Sequence, residues 1–266
     1  MLVLLHALWT PITLLFFVLL ARPRSNPLKT LAEGLLATLS TRGGRRVLWL
    51  GVAVLALNGL ECLCEPWLAR HLPYDLTAWV RSVEGAAVER AQATLPVALL
   101  AAAGWFYLSG FVAGLLAPVL VWAAEERFEA VRALVGAYVG NYALALPFYL
   151  FFPVREAAWS GLSDALPLLD ALYPGVSAET RVESALDNCF PSLHVSLTVS
   201  AFVVALIHGD RALRLFTGAV ALLTAYVVVA LGIHWALDVA AGVPFGALCA
   251  WIGLRLARRN ARSPAA

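Results

Sequence analysis

The chain has 266 residues, of which 61% are hydrophobic and 14% charged, with a mean hydropathy of +0.80. Soluble domains run at roughly 25% charged residues, so a water-soluble globule is excluded, as are a disordered chain and a disulfide-rich mini-domain with only four cysteines. A net charge of +2 argues against nucleic acid as a partner.

A hydrocarbon core about 30 Å thick takes roughly 20 apolar residues to cross. Runs of this kind lie near residues 2–21, 47–63, 95–123, 134–153, 192–208, 215–234 and 236–254, which predicts an all-α integral membrane protein, a polytopic bundle of six to seven transmembrane helices. The first run has no basic segment before it and Arg22-Pro23-Arg24 after it, so it reads as a retained helix rather than a cleaved signal. Asn26-Pro27 is then a good helix start, and Leu28, Leu31, Leu35, Leu36 and Leu39 share one face of the helix it opens. Beyond the second run, Asp75 can cap a helix with a stripe of Leu76, Trp79, Val80, Val83, Ala87 and Ala91. Arg81, Glu84, Glu89, Arg90 and Gln92 lie mostly away from that stripe. Both segments read as amphipathic interfacial helices without chemistry of their own, the alternative being that the second helps guide a lipid headgroup to a site nearby. Residues 154–191 form one long loop.

Seven crossings put alternate loops on opposite sides. Residues 22–46, 124–133, 209–214 and the tail from 255 carry 14 of the 19 Lys and Arg residues. The other side holds Arg70, Arg81, Arg90, Arg155 and Arg181. The positive-inside rule therefore places the N-terminus outside and the C-terminus in the cytoplasm of a multi-pass plasma-membrane protein.

Ionisable side chains at membrane depth are costly and mark functional sites. Here they collect at one level. Arg155 follows the fourth run, His194 opens the fifth in Pro191-Ser192-Leu193-His194, His234 ends the sixth, and Asp238 opens the seventh. By the topology above, all four face outward. His234 and Asp238, at i and i+4 on nearly continuous helix, lie one above the other. A carboxylate on one ring nitrogen leaves the other lone pair free as a nucleophile, and His194 can serve the leaving group as acid and the acceptor as base. Arg155 can bind a phosphate bidentately, and the helix N-terminus near Ser192 adds an anion site. Such a set suits attack on phosphorus through a phosphohistidine and needs neither metal nor cofactor. His71 and Asp75 have the same spacing as His234 and Asp238, but Pro73 between them breaks a shared face. Cys62-Leu63-Cys64 is too closely spaced for an ordinary zinc knuckle, although Cys62 or Cys64 could pair with Cys189 in an oxidising compartment.

These residues resemble the type-2 phosphatidic acid phosphatase superfamily. Pro191-Ser192-Leu193-His194 looks like its second motif, P-S-G-H, and His234-x-x-x-Asp238 like the end of its third, S-R-x5-H-x-x-x-D. The resemblance covers roughly residues 95–254 and implies a six-helix core around an outward-facing site, with His234 as nucleophile, Asp238 as its carboxylate and His194 as acid and base. The chain then divides into N-terminal spans and interfacial helices (1–94), a catalytic membrane core (95–254) and a basic cytoplasmic tail (255–266). Of the first motif, K-x6-R-P, only Arg155 is present, with Phe148 and Glu156 at the Lys and Pro positions; Val227 and Val228 replace the Ser-Arg pair. That pattern is similar to the branch with inositol phosphorylceramide and sphingomyelin synthases.

The implied activity is a lipid-phosphate phosphatase or phosphotransferase acting on phosphatidate, polyprenyl diphosphate or a phosphoinositide-type lipid. Headgroup transfer from phospholipid to an acceptor is the alternative. A non-catalytic transporter or scaffold is a rival of another class, for which Asn58, Asn141 and Pro147 are the few mid-span features.

Overall fold

Away from water an apolar chain must satisfy its own backbone N–H and C=O groups, and a helix does this within one segment. The computed structural model describes residues 2–71, 75–176 and 188–262; among them the regular elements are helices, with no strand. In chain order these are α1 (Leu2–Ala21), α2 (Pro27–Ser40), α3 (Arg42–His71), α4 (Thr77–Glu84), α5 (Ala87–Ala93), α6 (Val97–Trp105), α7 (Phe111–Ala124), α8 (Phe128–Phe151), α9 (Leu168–Leu172), α10 (Leu193–His208), α11 (Arg211–Ala230) and α12 (Ala236–Arg262). A π-turn, Phe106–Gly110, joins α6 to α7. Every apolar run singled out in the sequence overlaps one of these helices. Among the described residues, four runs are long and apolar enough to cross a membrane: Val97–Ala124, Phe128–Phe151, Arg211–Ala230 and Ala236–Arg259. The Trp9–Ala21 part of α1 and helix α10 are apolar but shorter. Side chains of Cys62 and Cys64, Arg181 and the end of the basic tail lie outside the described residues.

Helix α12 packs along α8 and α10, and α10 also packs on α11. Small residues permit this closeness. A Cβ on Gly246 would stand 2.3 Å from the carbonyl oxygen of Ser196, and one on Gly242 2.9 Å from that of Ser192, so α12 lies backbone to backbone against α10. Gly253 meets the Ala133 carbonyl of α8 in the same way, at 2.3 Å. A buried polar tie spans all three helices: Asn141 Nδ2 donates to Ser200 Oγ at 2.9 Å, and Ser200 donates to the Gly246 carbonyl at 2.8 Å.

At the end of the bundle where α10 closes, Arg22 joins Glu125 (2.7 Å) and Asp210 (3.0 Å), drawing together the ends of α1 and α7 and the start of α11. His194 opens α10 and His208 closes it, so the candidate site and this charged layer occupy opposite ends.

Two expectations change in detail. Helix α11 stops at Ala230, short of His234, because Gly232 adopts a φ of 81° and turns the chain. The amphipathic segment after Asp75 is two helices, broken at Gly85 with a φ of 61°. Its buried face carries Thr77, Val80 and Val88, whereas Trp79 and Val83 are exposed. The Asn26 cap forms as expected, its side chain accepting from the Leu28 and Lys29 amides. Leu28, Leu35, Leu36 and Leu39 of α2 remain exposed, while Gly34 packs against the Leu120 backbone of α7.

Candidate active site

The segment leading into α10 is fixed by backbone bonds before any catalytic side chain appears. Cys189 N–H donates to the Val154 carbonyl at 3.2 Å, and Tyr149 of α8 donates its hydroxyl to the Pro191 carbonyl at 2.7 Å. Ser192 caps α10, its hydroxyl accepting from the Val195 amide at 3.4 Å, and its own N–H donates to the Asp238 carbonyl at 3.2 Å. Ser192 is fully buried and engaged in capping, so it holds the helix start that carries His194. The Gly232 turn is tied down by Ala158 N–H, which donates to the Gly232 carbonyl at 2.9 Å. Trp235, wholly buried, donates its indole N–H to the Arg155 carbonyl at 2.7 Å.

His234 and Asp238 meet through a helix cap rather than through continuous helix. Asp238 Oδ2 accepts from the Trp235 backbone N–H at 2.9 Å, reaching back across the first turn of α12 as a carboxylate does in a capping box. The same oxygen lies 3.4 Å from His234 Nδ1. On the far side of the ring, His234 Nε2 is 3.1 Å from His194 Nδ1. A chain Asp238–His234–His194 thus crosses from α12 through the turn to α10. His234 is 4% exposed and Asp238 not at all.

The structure brings His194, His234 and Asp238 together as expected, and directs the head of Arg155 elsewhere. Its guanidinium pairs with Asp75 at 2.7 Å, while its N–H donates to Thr77 Oγ1 at 2.9 Å. Asp75 Oδ1 also accepts from the Thr77 amide at 2.9 Å, so the residue set aside as part of a chance spacing is what holds the arginine. Burial alone would raise the Asp75 carboxyl, but the Thr77 bonds and the Arg155 charge outweigh it and hold the group below its ordinary value.

Three features escaped the sequence reading. Tyr107 and Phe111 flank the His194 ring, with centroids at 5.1 and 4.8 Å, and the π-turn sets their positions. π-Turns inside helices often mark functional positions. Glu84 of α4 reaches the start of α12, where its Oε2 accepts from the Leu237 amide at 2.9 Å. Burial raises its carboxyl above the ordinary value, and the nearby Asp238 charge adds to the rise. Cys189 lies beside the dyad, its Sγ donating to the Ile233 carbonyl at 3.6 Å. Sγ, a ring nitrogen of His234 and a carboxylate oxygen of Asp238 all fall within 4.8 Å of one another.

Chemically, the arrangement can keep one proton on His234 Nδ1, leave Nε2 as a lone pair, and offer an exchangeable proton at His194. That is the equipment of group transfer through a histidine. A family model described as the PAP2 superfamily matches residues 77–252, well over half of the chain. No curated protein and no solved structure matches it.

Proposed function

The chain belongs to the PAP2 superfamily, and on that premise we propose that it is a membrane phosphatase or phosphotransferase that forms a phosphohistidine on His234 from a lipid-borne phosphate. The observation that carries this reading is the contiguous Asp238–His234–His194 chain, with spacings of 3.4 and 3.1 Å. Asp238 holds the proton on Nδ1, and the Nε2 lone pair attacks phosphorus. The bond to the leaving oxygen breaks, and His194 supplies that oxygen with a proton. Water or an acceptor hydroxyl then attacks the phosphohistidine, returning its own proton to His194 as the P–N bond breaks. General acid–base help of this kind is worth about 10²–10⁴-fold.

The wider placement is part of the proposal. The site lies at the outer face of a bundle of six to seven crossings in the plasma membrane, because 14 of 19 basic residues fall in the loops of the other side. The leucine-lined α2 and the α4–α5 pair lie in the two interfaces. Phosphatidate, polyprenyl diphosphate and phosphoinositide-type lipids are the substrate class. Headgroup transfer is the second reading, favoured by the aromatic wall around His194, which limits water at the step that decides between hydrolysis and transfer. A transporter or scaffold loses support from Asn141, whose amide is used in the tie between α8, α10 and α12.

The test is rapid-quench trapping of acid-labile phosphoenzyme with this panel of lipids, scored for free phosphate and for new lipids. His234→Ala should yield no phosphoenzyme. His194→Ala should form it from a chemically activated ester and break it down slowly. Phosphohistidine trapped in His234→Ala, or full lipid turnover by either variant, would refute the assignment.

A further inference from the structure

We propose that Cys189, His234 and Asp238 form a binding site for a thiophilic divalent cation such as Zn²⁺, and that its occupation switches the enzyme off. The inhibitory half of this statement rests on the reading of His234 as nucleophile; the binding half does not.

The donor set is the first argument. A thiol sulfur, an imidazole nitrogen and a carboxylate oxygen are zinc ligands by type, and the sulfur selects soft cations over Mg²⁺ or Ca²⁺. Spacing is the second. The three donors lie within 4.8 Å of one another, and the His234 Nδ1–Asp238 Oδ2 distance is 3.4 Å. Donors around tetrahedral zinc stand roughly 3.3–3.7 Å apart, so the His234 Nδ1–Asp238 Oδ2 pair already has the separation that a shared cation needs.

An unsatisfied group supplies the third argument. Asp238 Oδ1 is fully buried and has no hydrogen-bond partner among the described residues, although its residue is wholly enclosed. A cation between Cys189, His234 and Asp238 would turn this carboxylate from a half-used cap into a ligand. The scaffold is also rigid: Cys189 is held to Val154 by its backbone, and Asp238 to Trp235. Preformed donors of this kind bind metal without a folding cost.

The chemistry of inhibition follows from which nitrogen is used. Nε2 of His234 faces His194, so the cation takes Nδ1. Binding displaces the Cys189 thiol proton to solvent as the metal–sulfur bond forms, and the ring proton leaves Nδ1. A neutral ring then carries its proton on Nε2, pointing at His194. The lone pair that would attack phosphorus is gone, and one proton is released per cation.

The experiment uses full-length protein in detergent, with Cys62 and Cys64 replaced by serine to remove the C-x-C pair. Cd²⁺ is titrated in after chelator treatment, and the cadmium–thiolate charge-transfer band is recorded, followed by displacement with Zn²⁺. The expected result is a band saturating at one cation per chain, lost in Cys189→Ser and retained in His194→Ala, whose ring lies against the other nitrogen. Zn²⁺ should inhibit lipid turnover, with half-inhibition in Cys189→Ser shifted upward by at least about tenfold. No band, or a band that survives Cys189→Ser, overturns the site. A band with unimpaired turnover at saturating Zn²⁺ overturns the switch. A band in protein that forms no phosphohistidine supports the site and refutes only the catalytic reading on which the switch depends.

Discussion

Replacing Gly246 by alanine perturbs the site from two helical turns away, and its size can be worked from the contacts. The new Cβ would stand 2.3 Å from the Ser196 carbonyl oxygen and 2.8 Å from the Ser196 Cα, where ordinary contact begins at 3.4 Å. These are backbone atoms, so no rotamer relieves the overlap, and α10 and α12 must part by about 1 Å. Ser196 lies two residues after His194, and Gly246 is on the helix whose first turn carries Asp238. Overpacking of this kind costs about 1–3 kcal/mol of stability. A 1 Å misplacement in a catalytic constellation costs about 10²-fold in rate. The assay is kcat on lipid phosphate in mixed micelles below the melting transition, with detergent melting curves alongside. Gly136→Ala is the control, since its Cβ would meet only the Gly253 Cα at 3.7 Å. Wild-type kcat and melting temperature in Gly246→Ala would refute the claim that this close approach sets the site.

The pairing of Asp75 with Arg155 predicts that Asp75→Asn lowers KM for lipid phosphate by releasing the guanidinium, and that Arg155→Ala raises it. Because the Asp75 carboxyl is held below its ordinary value, its contribution to stability is complete above that ordinary value and is lost as pH falls from there through the lowered one; a melting-temperature difference between wild type and Asp75→Asn should shrink across that acid window and stay constant above it. The histidine mechanism uses no metal, so turnover should persist in excess chelator, measured as phosphate release; loss restored by added Zn²⁺ or Mg²⁺ would refute it. For Glu84 the sign is opposite, since a raised carboxyl penalises the charged folded state as pH climbs above its ordinary value. Glu84→Gln keeps an acceptor for the Leu237 amide and should melt higher than wild type at neutral pH, whereas Glu84→Ala loses the cap and about 1 kcal/mol.

What the sequence disclosed follows the range of the interactions. The apolar runs and the Asn26 cap are local, and each overlaps or forms a helix where expected. The His194, His234 and Asp238 trio was legible because charged and polar residues stand out against apolar runs and fell at one depth. Arg155 was legible as a residue and not as a partner. Its ion pair with Asp75 joins segments 80 positions apart, and only the docking of α4 beneath the 153–159 segment, with Leu76 N–H donating to the Pro153 carbonyl at 3.0 Å, creates it. The inward role of Glu84 was hidden for a related reason. A helical stripe ranks side chains by hydropathy, but here polar residues dock the segment: Glu84 on the Leu237 amide, Glu89 on the Asp164 amide and Gln92 on Leu166. Tyr107 and Phe111 sit in an apolar run where nothing distinguishes a residue that flanks a histidine from one that faces lipid.

The contact between the two histidines sets the order of events at the site. At 3.1 Å, the Nε2 of His234 and the Nδ1 of His194 leave no space between them for a phosphoryl group. In-line attack needs the nucleophile about 3–3.5 Å from phosphorus, with the leaving oxygen beyond it, so the imidazoles have to separate before chemistry. Asp238, itself held by the Trp235 amide, fixes His234 just ahead of the first turn of α12, and His234 is the more deeply buried ring. His194 is therefore the ring that moves. Its neighbours suit that motion, because Tyr107 and Phe111 make tilted ring contacts with it, at 5.1 and 4.8 Å, rather than hydrogen bonds that would have to break. The displaced ring would then lie beside the leaving oxygen, where an acid is needed. In this arrangement the resting contact protects the nucleophile from solvent, and arrival of the lipid phosphate exposes it.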